Sequence, residues 1–170
     1  MVIQPNTARV AFALSLVLAL GTSAVRAEGE DMHAHMHHGG GAVTQMTLNA
    51  GQKWGTDESL RKGMAAIGAS FDEHHARIHA GTETDAQYEA LAGTIESEVK
   101  NIVAQCKLPP AADANLHYAI ADLMEGARLM RGQEAGKSRH DGAALVHGAL
   151  NAYGKFFDDP AAAAADHMPK

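Results

Sequence analysis

Apolar residues recur at alternating intervals of three and four positions in four separate stretches of the chain. This spacing places them on one face of a helix, which is typical of an amphipathic helix packed on a core. The four stripes are Leu60, Met64, Ile67, Phe71 and Ile78; Tyr88, Leu91, Ile95, Val99, Ile102 and Cys106; Leu116, Ile120, Leu123, Ala127 and Met130; and Ala143, Val146, Leu150, Tyr153 and Phe157. The pattern predicts four helices, over about 57–79, 85–107, 111–131 and 139–157.

Residues at the ends of these stretches carry helix start and stop signals. Thr84 with Gln87 and Ser138 with Asp141 have the spacing of a capping box. Gly132 follows the third stretch, where a glycine commonly ends a helix. Helices of about 20 residues joined by short links favour antiparallel neighbours. We therefore expect residues 53–158 to form an all-α, antiparallel up-down-up-down four-helix bundle.

The start of the chain has the pattern of a cleaved signal peptide. Arg9 precedes an apolar run, 10–20, and small residues lead to a cut after Ala27. The run is too short to span ~30 Å of hydrocarbon. Residues 1–27 are therefore predicted to direct export to the periplasm, with no membrane insertion after cleavage.

Both flanks of the predicted bundle are poor in large apolar residues. Residues 28–52 combine acidic residues, a His/Met-rich run and three consecutive glycines, and 159–170 contain Pro160 followed by five alanines. Such segments bury too little apolar surface to offset their ordering entropy. We expect 28–52 and 159–170 to be flexible tails.

Charge and composition narrow the classes of function. The 20 Asp and Glu outnumber the 14 Lys and Arg, for a net charge of -6, which argues against nucleic-acid binding. The chain has 11 His and 8 Met but a single Cys. Imidazoles suit Cu(II), Zn(II) and Ni(II), whereas thioethers suit Cu(I), so copper is the ion that uses both. The candidate tail ligands are Met32, His33, His35, Met36, His37 and His38.

The predicted topology also brings potential ligands together inside the bundle. His75, Met124 and His147 come from three different helices but lie at similar depth below one end. His79 and His140 lie nearer that end, and His75 and His79 are one helical turn apart, a spacing that suits chelation of one ion. These five residues form a candidate copper site.

A competing group lies at the opposite end of the predicted bundle. It contains Met64, Cys106 and His117 and includes the only thiol, although burial raises a thiol's pKa and disfavours the metal-binding thiolate. An ordinary structural interpretation stands beside both groups. Methionines commonly fill helical cores, and the histidines can simply face water.

Enzyme signatures are weak in this sequence. The Glu-x-x-His spacing of bundle di-iron enzymes occurs only from Glu30 to His33, and no Cys-x-x-Cys-His motif is present for covalent haem. We expect a non-enzymatic metal-binding protein that buffers or delivers copper, with a metal efflux system or another periplasmic protein as partner. The alternatives are a b-type haem electron carrier and a helical chaperone or stress-interaction protein.

The helix pattern over about 54–157 and the closing Asn151-Ala152-Tyr153 resemble the cytochrome b562 family of exported four-helix bundles. In that family a haem-ligating His follows the Ala-Tyr pair, and here that place is taken by Gly154; the second family ligand corresponds approximately to Met64. The stretches 48–64 and 106–117 also resemble small uncharacterised exported proteobacterial proteins. That resemblance implies an association with heavy-metal resistance systems.

Overall fold

The computed structural model describes residues 41–165, with side chains through Ala162. The predicted signal peptide, the His/Met-rich run at 32–38 and residues 166–170 lie outside the described residues.

Four long helices and one short helix make up most of the described chain. They are α1 (Glu58–His79), α2 (Asp85–Gln105), α3 (Pro110–Met130), α4 (Arg139–Phe156) and α5 (Pro160–Ala165), preceded by a 3-10 helix at Ala42–Gln45. The first four begin and end within about two residues of the predicted bounds, inside the usual error of such predictions. Residues 41–165 contain no β-strand, only isolated bridges.

Local side chains explain where the helices begin. Asp57 caps α1 by accepting a hydrogen bond from the Leu60 amide at 2.7 Å. Both predicted capping boxes are present, at Thr84 for α2 and at Ser138 for α4. Each box satisfies backbone N–H groups that the first helical turn leaves without an intrahelical partner.

The apolar stripes of the four long helices meet in one core. α1 packs against α2 and α4, and α3 packs against the same two helices. The fully buried members include Leu60, Leu91, Ile95, Leu123 and Val146. Because each stripe is buried by two neighbouring helices, the protein is an all-helical, bundle-like fold.

Contacts between helix ends define which ends are neighbours. The Lys107 amide, just after α2, donates to the Asp57 carboxylate at the start of α1 at 2.6 Å. Trp54, just before α1, forms a bridge with Phe157 at the end of α4. The guanidinium of Arg139, at the start of α4, lies 3.4 Å from the Glu89 carboxylate in the first turns of α2.

Part of the segment predicted to be a flexible tail, residues 41–52, instead packs on α3. The buried Asp122 carboxylate accepts hydrogen bonds from the amides of Ala42, at 2.7 Å, and Val43, at 3.0 Å. The Asn115 side chain accepts one from the Thr47 amide at 2.9 Å. Met46 is buried as well. Two polar side chains of α3 therefore supply acceptors that this segment lacks by itself.

The start of the predicted C-terminal tail is also ordered. Asp159 is only 3% exposed, and its carboxylate accepts hydrogen bonds from the Tyr153 hydroxyl and the Ala161 amide. α5 follows directly. A buried hydrogen bond to α4 thus holds a segment whose composition favoured disorder.

Within the part of the chain that the structure describes, no helix is both long and apolar enough to span a membrane.

Candidate metal site

Three histidine rings meet beside a core phenylalanine where α1 packs against α4. The centroids of the His75 and His79 rings are 5.1 Å apart, and those of His75 and His147 are 5.9 Å apart. Phe71 lies against two of these rings, with centroids 6.0 Å from His75 and 5.7 Å from His147. We call His75, His79 and His147 the histidine cluster.

Helical periodicity explains how α1 contributes two members of the cluster. Phe71, His75 and His79 follow one another at intervals of four residues, so they lie on one side of α1, turn after turn. Phe71 is buried while His75 and His79 are exposed. On this side of α1, the residue nearer the middle of the helix is in the core, and the two imidazoles nearer its C-terminal end are at the surface.

The ring separations suit ligands that share one ion. With a metal–nitrogen bond of ~2.0–2.1 Å, an imidazole centroid lies roughly 3 Å from the metal, and two rings in tetrahedral coordination have centroids about 5 Å apart. The observed 5.1 Å and 5.9 Å are within about an ångström of that value. The His75 ring is thus close enough to each of the other two rings to share an ion with it, provided that the nitrogens turn toward that ion.

The ligating nitrogens do not already converge. Within residues 41–165, no group of three or more His, Cys, Asp or Glu side chains is arranged to hold a metal ion. The ring planes of His75 and His147 are 52° apart, and those of His75 and His79 are 73° apart. Binding therefore requires rotation about the side-chain torsions of the exposed His75 and His79.

Electrostatics favour the neutral, metal-binding form of His147. Burial lowers the pKa of His147 below its usual 6.5, and repulsion from His75 and His79 lowers it further, while Asp72 acts in the opposite direction. One ring face is covered by Phe71, which limits hydration of the imidazolium. A neutral imidazole keeps a lone pair available for a cation.

The structure brings together three of the five bundle residues predicted from the sequence. Met124 is 40% exposed on α3 and lies seven residues, or about two helical turns, before Arg131, so both lie on the same side of that helix. Arg131 pairs with Glu96 of α2 at 2.7 Å. The Met124 thioether is therefore on the α2 side of α3, whereas the histidine cluster is on α1 and α4.

His140 lies on the same side of α4 as His147 but does not touch it. The two are seven residues apart, which at 1.5 Å per residue is about 10 Å along the helix. His140 is exposed in the first turn of α4. Its imidazole is therefore not part of the histidine cluster.

The competing group of Met64, Cys106 and His117 has different surroundings. Met64 is a 3% exposed core residue. The His117 ring contacts the Asp113 carbonyl of its own helix at 2.8 Å. Burial raises the pKa of the Cys106 thiol to about 11, and the negative charge of Asp57 adds to the shift. The thiol is protonated at neutral pH and is a poor metal ligand.

Two neighbours of the cluster were not anticipated from the sequence. The apolar pattern predicts Phe71 only as a core residue, yet it stacks on His147 with ring planes 7° apart. The Asn151 amide nitrogen lies 3.3 Å from His147 Nε2. The four-residue spacing of Asn151 from His147 was a usable signal, because such pairs are neighbours on a helix.

The third histidine near the end of α1, His74, is held by contacts within the protein. His74 Nδ1 contacts a carboxylate oxygen of Glu83, and the other oxygen of Glu83 accepts from Arg77 Nε at 2.9 Å. The Glu83 side chain is fully buried in this arrangement. His74 therefore fastens the link between α1 and α2 and is separate from the histidine cluster.

The six candidate ligands of the tail, Met32, His33, His35, Met36, His37 and His38, lie outside the described residues. Comparison with known proteins adds no relative to this picture: the chain matches no protein-family model, no curated protein and no solved structure.

Proposed function

We propose that this protein is an exported metal-binding protein that buffers or delivers copper in the periplasm. The observation that carries the proposal is the histidine cluster, in which three imidazoles from two helices lie side by side at the surface. Imidazole nitrogens are common ligands of transition-metal ions, and several of them on neighbouring helical turns can bind one ion.

The proposal includes an antiparallel up-down-up-down order of the four long helices. The bond from Lys107 to Asp57 supports it, because it joins the end of α2 to the start of α1. The Trp54–Phe157 bridge and the Arg139–Glu89 pair support it as well. This order places His75, near the end of α1, beside His147 in α4.

The donor atoms favour particular ions at each part of the protein. Three imidazole nitrogens suit Cu(II), Zn(II) and Ni(II), and Cu(II) binds most strongly in that series. Met32 and Met36 of the His/Met-rich run add thioethers that suit Cu(I). We infer that the bundle holds the oxidised ion, while the tail accepts both oxidation states.

A surface location fits transfer better than permanent storage. His75, His79 and His147 are all exposed to some extent, so a partner can reach an ion held there. The partner we propose is a metal efflux system or another periplasmic protein that carries donor atoms of its own. The protein acts as a carrier in this scheme and not as an enzyme.

The test is metal binding by the chain from Glu28 onward, measured by competition with a chromophoric chelator for Cu(II) and Zn(II). Deletion of 28–40 removes the tail ligands, and H75Q/H79Q/H147Q removes the cluster. H117Q is the matched control, because it removes an exposed imidazole elsewhere on the bundle.

We expect the protein without 28–40 to bind at least one ion. The same deletion combined with H75Q/H79Q/H147Q should lose that ion, whereas H117Q should bind metal as the parent does. Loss of all binding on deletion of 28–40, or equal loss in H117Q, contradicts a bundle site. An intense Soret band in protein purified from its native host favours the haem carrier instead.

A further inference from the structure

The His147 side chain has a partner at one of its two ring nitrogens. The amide nitrogen of Asn151, one turn further along α4, lies 3.3 Å from Nε2. Phe71 stacks on the ring and restricts its tilt. Two neighbours therefore define both the plane of this imidazole and the direction of its Nε2 atom.

Hydrogen-bond chemistry decides which nitrogen can bind a cation. When the Asn151 amide donates, Nε2 carries the lone pair and Nδ1 carries the proton of the neutral ring. When the amide turns by about 180° about its last torsion, its carbonyl oxygen accepts a hydrogen bond from Nε2–H instead. In both orientations Nε2 is occupied by Asn151, and in the second the lone pair is on Nδ1.

We propose that Asn151 is a positioning residue that directs His147 to bind metal through Nδ1. This inference rests on the proposed function. On binding, the ring proton moves from Nδ1 to Nε2 by exchange with water, and the Asn151 amide turns to accept it. The Nδ1 lone pair then bonds to the ion that His75 and His79 share.

This arrangement is an outer-shell contact of the kind that metal-binding histidines use. The ring N–H opposite the metal donates to a fixed acceptor, which sets the tautomer and the ring orientation, and removal of that acceptor costs about 10–100-fold in metal affinity. A carboxylate is a stronger acceptor than an amide for that N–H. N151D is therefore expected to bind at least as tightly as the parent.

The experiment uses the chain from Glu28 onward with the tail histidines His33, His35, His37 and His38 changed to Gln, so that Zn(II) binding reports the bundle. Zn(II) affinity is measured by chelator competition in the parent, N151A, N151D and the control N101A, an exposed asparagine of α2. Long-range ¹H–¹⁵N NMR spectra identify which nitrogen of His147 shifts when zinc binds. Thermal unfolding confirms that each variant is folded.

The proposal expects a 10–100-fold loss of affinity in N151A, recovery in N151D, no change in N101A and a zinc-induced shift at Nδ1. A shift at Nε2, or equal affinities for N151A and the parent, overturns it. H147Q separates this failure from that of the proposed function. If H147Q loses zinc while N151A does not, only the positioning role fails; if H147Q binds zinc like the parent, both fail.

Discussion

The imidazole of His147 lies nearly parallel to the phenyl ring of Phe71, with ring planes 7° apart and centroids 5.7 Å apart. Phe71 is a core residue of α1, 4% exposed, whereas His147 is on the outer part of α4. The stack therefore joins the core to the surface at the histidine cluster. It also removes water from one face of a titratable ring, which disfavours the imidazolium.

The first prediction concerns the charge of His147. Burial, and then the neighbouring His75 and His79, lower its pKa below 6.5. In H75Q/H79Q the pKa should rise but remain below the usual value, because burial is the larger cause. An NMR titration of the metal-free protein measures it, and a midpoint at or above 6.5 in the parent contradicts the prediction.

The same shift makes stability depend on pH. The unfolded chain binds a proton at His147 at higher pH than the folded protein does, so the free energy of unfolding should fall as the pH decreases below about 6.5. H147Q should lose this part of the pH dependence. Urea unfolding at a series of pH values, in the parent and in H147Q, provides the measurement.

The second prediction concerns the reactivity of Cys106. Burial and the Asp57 charge raise its pKa from 9.0 to about 11. Relative to the unfolded chain, the fraction of Cys106 that is thiolate at pH 8 is about 100-fold lower in the folded protein. A more basic thiolate is a better nucleophile, which offsets part of this loss. Alkylation of Cys106 should therefore be about tenfold slower than in the unfolded chain.

D57N removes the neighbouring charge and should accelerate alkylation of Cys106 by iodoacetamide. D113N, which removes a charge with a weaker influence on the Cys106 pKa, is the control and should have a smaller effect. Unchanged rates in D57N, with the helices intact by circular dichroism, would show that the carboxylate has no influence on the thiol.

The third prediction concerns the close approach of α3 and α4. A Cβ atom added at Gly142 would lie 2.5 Å from the Gly126 carbonyl oxygen and 2.8 Å from the Met130 amide nitrogen, both backbone atoms. G142A should lower the free energy of unfolding by about 1–3 kcal/mol, because the helices must move apart.

Gly148 provides a matched control on the same helix. A Cβ atom there meets no atom within 4 Å. G148A should raise the free energy of unfolding by about 0.5–1 kcal/mol, because alanine favours the helix. Urea unfolding should give opposite signs for the two variants, and a stabilised G142A would refute the tight contact.

The fourth prediction concerns the carboxylate that holds the segment before α1. D122A removes the acceptor of the Ala42 and Val43 amides and should cost about 2–4 kcal/mol. Hydrogen exchange at these two amides should accelerate more than exchange in the core of α2. D158A, at an exposed aspartate, is the control. If D158A loses as much stability as D122A, the loss results from the change in net charge and not from the contact of Asp122 with Ala42 and Val43.

The helices of this protein were predictable from the sequence because their signals are local. A stripe such as Leu60, Met64 and Ile67 and a capping box such as Thr84 with Gln87 involve residues within a few positions of each other. The pairing of His75 with His79 is local for the same reason. Periodicity and capping signals thus predicted the helix bounds, and periodicity predicted the contact of His75 with His79.

Only the tertiary structure decided which sides of the helices meet. The predicted depth along each helix placed Met124 at the level of His147. The rotation of α3 about its own axis instead directs Met124 toward α2. That rotation is set by non-local packing, such as the close approach of Gly126 to Gly142. Asp122 holds Ala42 across 80 positions of sequence. Contacts of this range depend on how the whole core packs, so no local pattern specifies them.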